Sequence, residues 1–263
     1  MLFPLQNFIC AISTTRCVVS NVLLPGHEFI VSQARVPSLY KGSFTAKDKA
    51  TVQEIVKLIV QNAVVFRELF DSDPSIKLNI RRFFGLCLTK GDAGNESYLH
   101  AYMYIFWGDI VGDANLAREL HSPAQWGSKE FGVRPGVGNA PEKIINDRLS
   151  SAGVELDLFT WSPKRETLTL IEIKRGECDD RAIGQLLRYY QVVWGMLSTH
   201  EFRDLKVNYI WPILVVSKVR EAHWNAIPLH FRGMLDILIY QTSNDGVPTF
   251  QSFRNAAITN RWG

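Results

Sequence analysis

Three stretches of this 263-residue sequence predict a chain of mixed α and β structure. The first runs from Val154 to Lys174. Val154, Leu156 and Leu158 alternate with Glu155, Asp157 and Phe159, the two-residue period of a strand with one buried face. A polar turn, Ser162-Pro163-Lys164-Arg165, separates this strand from a second over Thr167–Lys174, which predicts a hairpin. In the second stretch, Ile183, Leu186, Leu187, Tyr190, Val193, Trp194 and Leu197 form a helical stripe that starts from a cap at Asp179 or Asp180. The third, Val207–Ser217, is a nearly continuous apolar run containing Pro212, and it reads as a central strand buried on both faces. Upstream, His121–Pro141 is rich in Gly and Pro and has no period, which places a domain boundary there. The expected organisation is a smaller α+β domain over residues 1–135, followed at 136–263 by a mixed sheet flanked by helices.

Taken in order, residues 6–37 hold short β-branched runs at Phe8–Ile12, Cys17–Leu24 and Glu28–Val36, with a turn at Pro25-Gly26, and predict an antiparallel meander. Ser43 or Thr45 caps a long helix to about Phe70, with Val52, Ile55, Val56, Ile59, Ala63, Phe66 and Phe70 along one side. Asp71-Ser72-Asp73-Pro74 ends that helix. In Arg81-Arg82-Phe83-Phe84 the arginines are expected at the surface and the phenylalanines in the core. Lys90–Asn95 is a turn that does not match a phosphate-binding loop.

Tyr98–Trp107 reads as a strand with Tyr98, His100, Tyr102, Tyr104 and Phe106 on one face. Core is expected there rather than a base-stacking platform, and His100 has no partner spacing that makes it a ligand. Lys129 and Arg134 are basic positions of the boundary loop. Pro141–Leu149 reads as a helix with proline in its first turn, Arg220–Ala226 as a short helix and Met234–Gln241 as a further strand.

Composition narrows the class. Hydrophobic residues make up 46% and charged residues 21%, close to globular averages, which argues against disorder. A net charge of +3 leaves no global basic footprint of the kind nucleic-acid binders carry. Cys10, Cys17, Cys87 and Cys178 show no paired spacing, so no zinc site is expected, and a reduced, cytoplasmic compartment is. Cys178 falls near the chemistry described next. The N-terminus lacks the positive region of a secretory signal, and no apolar run is long enough to span a membrane.

Strand alternation makes Glu172 and Lys174 project the same way, and the hairpin can bring Asp157 to that pair. Two carboxylates with a backbone carbonyl, that of Ile173, suit a hard divalent cation that keeps several waters. Such an ion activates water and polarises a phosphoryl oxygen, while a lysine beside it stabilises developing charge. The chemistry is that of phosphodiester hydrolysis.

Asp157, fourteen residues, then Glu172-Ile173-Lys174 resembles the signature of the PD-(D/E)xK nuclease superfamily. Gln185 and Tyr189, one turn apart on the following helix and read as lying off its apolar stripe, resemble the Q-x-x-x-Y element of the RecB-like and NucS-like branches. The resemblance covers roughly residues 140–240, and Leu156 stands where the family usually has proline. It implies a restriction-endonuclease-like fold and a DNA substrate, with Mg²⁺ or Mn²⁺ held by Asp157, Glu172 and the Ile173 carbonyl. Lys174 would act at the scissile phosphate, Glu142 on the preceding helix would be an auxiliary ligand or base, and Gln185 and Tyr189 would support the site. Related enzymes often work as homodimers, so the N-terminal domain here is expected to select the substrate or mediate self-association. The alternative is the same fold without activity, serving as a nucleic-acid-binding or assembly module.

Overall fold

The computed structural model describes residues 9–13, 16–20, 34–35, nine positions between 52 and 71, and residues 74–90, 96–114, 125–128 and 141–253. The expected turn at Pro25-Gly26, the cap at Ser43 or Thr45, and Lys129 and Arg134 lie outside these residues. The chain divides into two compact units, Met1–Tyr98 with Thr242–Pro248, and Leu99–Gln241 with Thr249–Gly263.

In the first unit, β1 (Ile9–Ser13), β2 (Arg16–Ser20) and β3 (Ala34–Arg35) form an antiparallel sheet in that order, in line with the expected meander. Positions 52, 53, 56, 59, 60, 63, 66, 70 and 71 are helical. Val52, Val56, Ile59, Ala63, Phe66 and Phe70 of the expected stripe are buried there. A second helix, α1 (Pro74–Lys90), starts on a proline, whose missing N–H costs nothing in a first turn. Phe83 and Phe84 are buried on it, and Arg81 reaches the Pro248 carbonyl at 3.3 Å. Gly85 is required where α1 meets the turn at Gly246, because a Cβ there would lie 1.8 Å from the Gly246 carbonyl oxygen.

The second unit is built on a six-stranded sheet: β4 (Gln125–Ser128), β5 (Leu158–Ser162), β6 (Thr167–Ile173), β7 (Tyr209–Val216), β8 (Asp236–Thr242) and β9 (Pro248–Ser252), in sequence order. β4, β5 and β6 pair antiparallel, whereas β6, β7 and β8 pair parallel. β6 and β7 are buried almost throughout, as the apolar runs require of parallel strands covered on both faces. Pro212 sits inside β7 opposite Leu170 and forfeits one ladder donor there.

Three differences from the sequence expectation have physical causes. Residues 98–107 belong to a helix, α2 (Ser97–Asp113), kinked at Phe106, and not to a strand. Tyr98, Leu99, Ala101, Tyr102, Met103, Ile105, Phe106 and Trp107 are all buried, so the helix has no polar stripe from which to read its period. The Gly/Pro-rich stretch His121–Pro141 contributes the edge strand β4, too short to show alternation. β5 begins only at Leu158, because β4 and β6 offer partners from that residue onward, although Val154 and Leu156 are buried on the way in. β9 carries a legible period: Pro248, Phe250 and Ser252 are buried and alternate with exposed Thr249 and Gln251.

Helices α3 (Pro141–Ser151) and α4 (Asp180–Ser198) share one core with the sheet through Ile145, Leu149, Leu170, Leu186, Val193 and Leu214. α4 is the crossover between parallel β6 and β7, and Asp179 caps it by accepting from the Ala182 N–H at 2.7 Å. Its buried side carries Ala182, Ile183, Leu186, Tyr189, Val193 and Met196. The stripe is thus rotated from the predicted one. Tyr189 joins the core rather than lying off it, and Trp194 is 54% exposed. Short helices α5 (Glu221–Ala226) and α6 (Leu229–Arg232) lead into β8. No helix among the described residues is long and apolar enough to cross a membrane.

Substituting Gly85 with alanine is expected to cost at least about 1–3 kcal/mol, because the obstructing atom is backbone and cannot swing aside. Urea unfolding of Gly85→Ala beside the wild type measures it; equal midpoints would contradict the packing.

Candidate active site at the carboxyl end of β6

Glu172 occupies the penultimate position of β6 and is wholly buried, at 0% exposure. A carboxylate taken out of water costs several kcal/mol unless a cation faces it. Lys174, two residues on and therefore on the same side of the strand, supplies one: its Nζ lies 2.9 Å from Glu172 Oε1. The lysine side chain stays 30% exposed, so the pair is sealed on the glutamate side and reaches solvent through the ammonium. The Lys174 main chain is fixed as well, its N–H donating to the Val215 carbonyl at 2.8 Å.

Asp157 precedes β5 by one residue. β5 and β6 pair Leu158 with Ile171, and one more step in that register sets Asp157 opposite Glu172. Its Oδ2 accepts the Ile173 N–H at 2.7 Å, which clamps the side chain to the backbone between Glu172 and Lys174. Its Oδ1 lies 3.9 Å from Nε2 of His100 on α2, too long for a hydrogen bond but within ionic contact. The structure therefore sets Asp157 against the backbone between Glu172 and Lys174, with His100 on its other side; among the described residues, the side-chain donors of Asp157, His100 and Glu172 do not all lie within 4.8 Å of one another. No sequence spacing relates His100 to Asp157; it reaches Asp157 because its aromatic run forms helix α2 rather than a strand.

Gln185 and Tyr189 meet each other on α4, Gln185 Nε2 donating to the tyrosine hydroxyl at 3.2 Å. Arg188 lies over the Tyr189 ring, its guanidinium carbon 5.3 Å from the centroid. Glu142 is the second residue of α3, and its side chain lies outside the described residues. Asp147, on the same helix, is spent in an exposed i,i+4 pair with Lys143 at 2.8 Å.

The segment leaving β6 is tied down at several points. Ser217 N–H donates to the Gly176 carbonyl and Cys178 N–H to the Lys218 carbonyl, which zips residues 176–178 to the strand end of β7. Glu177 pairs with Lys218 at 3.3 Å and with Arg220 at 2.6 Å, and the Lys218 hydrogen bond, aided by Arg220, holds its carboxyl below the usual range. The Tyr240 hydroxyl donates to the Arg175 carbonyl. The charged groups thus stand on rigid backbone, as a site that must keep its geometry requires. Cys178 beside them is buried, and burial, with Asp179 and Asp180 adding to it, pushes its thiol up to about 11.

Comparison of the chain with family models, with characterised proteins and with solved structures returned no match.

Two outcomes follow. At pH 8, iodoacetamide should leave Cys178 unmodified in the native protein, as read by peptide mass mapping, because the thiol is both covered and protonated. Lys174→Met should cost roughly 2–3 kcal/mol, the usual cost of stranding a buried charge discounted for the lysine's exposure. Glu172→Gln/Lys174→Met should recover most of it in urea unfolding.

Proposed function

We propose that this chain is a divalent-metal-dependent nuclease that hydrolyses phosphodiester bonds, with DNA as its substrate, on a restriction-endonuclease-like fold. One observation carries the reading: Asp157 is hydrogen-bonded to the backbone between Glu172 and Lys174, which sets its carboxylate at the strand end that carries the Glu172–Lys174 pair. The order of helix α3, hairpin β5–β6, crossover helix α4 and parallel β7 supports it. The superfamily signature at Asp157, Glu172 and Lys174 supplies the substrate class.

The donor set fits a divalent ion. Glu172 and Asp157 are hard oxygen donors of the kind Mg²⁺ and Mn²⁺ take, and the His100 imidazole lies beside Asp157. Asp157 and Glu172 would hold the ion with the Ile173 carbonyl, and His100 stands where it can orient Asp157. A bound ion would polarise the phosphoryl oxygen and make hydroxide available at neutral pH.

The protein's own groups do the remaining work. The Ile173 N–H fixes Asp157 through Oδ2, with Oδ1 on the His100 side. Lys174, the most exposed member of the cluster, presents positive charge where a phosphate would approach and can stabilise the charge that accumulates in the transition state. Gln185 and Tyr189 brace each other one turn into the next helix.

The Glu172–Lys174 ion pair also favours a second reading, because a carboxylate committed to a lysine can be purely structural. In that case the chain is a nuclease-fold module that binds nucleic acid without cutting it. Cleavage of linear and circular DNA in Mn²⁺ separates the two. The nuclease reading expects wild-type cutting that falls about 10²–10³-fold in Asp157→Asn and in Glu172→Gln/Lys174→Met. Undiminished cutting by either variant contradicts it, and DNA binding without cutting by the wild type assigns the module. His100→Gln should raise the Mn²⁺ concentration for half-maximal cutting by about tenfold.

A further inference from the structure

We propose that the outer face of α4 is a track for single-stranded nucleic acid, on which Arg181 and Arg188 hold phosphates and Trp194 stacks an unpaired base. This rests on the nuclease reading and names the strandedness of its substrate. Opposite its buried stripe, α4 exposes Arg181, Gly184, Arg188, Gln191, Trp194, Gly195 and Ser198. After Asp180 the helix contains no acidic residue. Neither Arg181 nor Arg188 is in an ion pair among the described residues, and Arg188 rests on the Tyr189 ring. The face is cationic and hydrogen-bonding, complementary to a phosphodiester backbone.

The indole at its far end is a prepared surface. Trp194 is 54% exposed and lies on Tyr190 with ring centroids 6.3 Å apart and planes 18° from parallel. Tyr190 is itself anchored, its ring 5.5 Å from that of buried Phe231 and its hydroxyl 3.0 Å from the Met234 sulfur. A large ring held at fixed tilt by a stack beneath it loses little freedom when a base lands on its open side.

The other exposed aromatic among the described residues, Tyr209, starts β7 opposite Thr167, at the end of the strands away from Glu172. The aromatic run over Tyr98–Trp107 is largely buried and offers no platform. Arg188, Gln191 and Trp194 follow one another at three-residue steps, the spacing of helix neighbours. From Arg181 to Trp194 the strip is about 20 Å long. Duplex bases are stacked on each other and cannot use the indole, so the single strand is the preferred occupant.

The test is binding of a labelled oligothymidylate and of a matched duplex in EDTA, which reads affinity without cleavage. The wild type should prefer the single strand. Trp194→Ala should weaken single-strand binding roughly tenfold or more while leaving duplex binding unchanged, and Trp194→Phe should restore most of the loss. Arg181→Gln/Arg188→Gln should flatten the salt dependence by about 1.4 log units per log unit, two phosphates at ~0.7 each.

Unchanged binding by Trp194→Ala, or a wild type that prefers duplex, overturns the proposal. So does a sedimentation result in which Trp194→Ala converts a wild-type dimer to monomer, since the face then serves a second copy of the chain. Failure here is distinguishable from failure of the nuclease reading. Oligonucleotide binding that depends on Trp194 in a protein that never cuts sinks only the catalytic assignment, whereas Mn²⁺-dependent cutting with Trp194-independent binding sinks only this one.

Discussion

A carboxylate buried completely near the end of a central strand of a mixed sheet is the constraint to which the second unit answers. Glu172 stands on β6 with β5 on one side and β7 on the other. Nothing about packing a sheet requires an acid there, and a leucine would fill the position at less cost. The chain meets the charge with Lys174 from the same strand face and then fixes the ends of β6 and β7 through Glu177, Lys218 and Arg220. An arrangement that costs stability in order to hold charge in place is what a site looks like in energetic terms.

Asp157 gives the cluster its direction. A carboxylate at the head of a strand is usually solvated, but this one is turned back onto the neighbouring strand by the Ile173 N–H and is mostly covered. One oxygen is spent on structure and the other faces His100. The cluster thereby gains a fixed aspartate beside a buried acid and a part-exposed lysine. Crossover helix α4 begins six residues after Lys174, so its orientation is set by the same few hydrogen bonds that rigidify the site.

Legibility in the sequence followed the periodicity of each segment. The hairpin of β5 and β6, the central β7, and helices α3 and α4 were readable because each shows a clean two-residue alternation, an apolar run or a capped helical stripe. The proximity of Glu172 and Lys174 came from strand alternation alone. Helix α2 was not readable: burial on nearly every side erased its polar stripe, and its aromatics favour strands. That one misreading also hid His100. On α4 the error was one of rotation. Tyr189 and Trp194 are both large aromatics on opposite flanks of the stripe, and the structure buries the first and exposes the second.

The central claim is that Asp157 and Glu172 share one ion beside Lys174. Its most direct measurement is the anomalous difference density of a crystal of the wild-type protein soaked in Mn²⁺. The account predicts a peak at about 2.1 Å from oxygens of both carboxylates, with the Lys174 ammonium displaced from Glu172. Saturating Mn²⁺ that leaves the Glu172–Lys174 pair closed and no peak at Asp157 would contradict it.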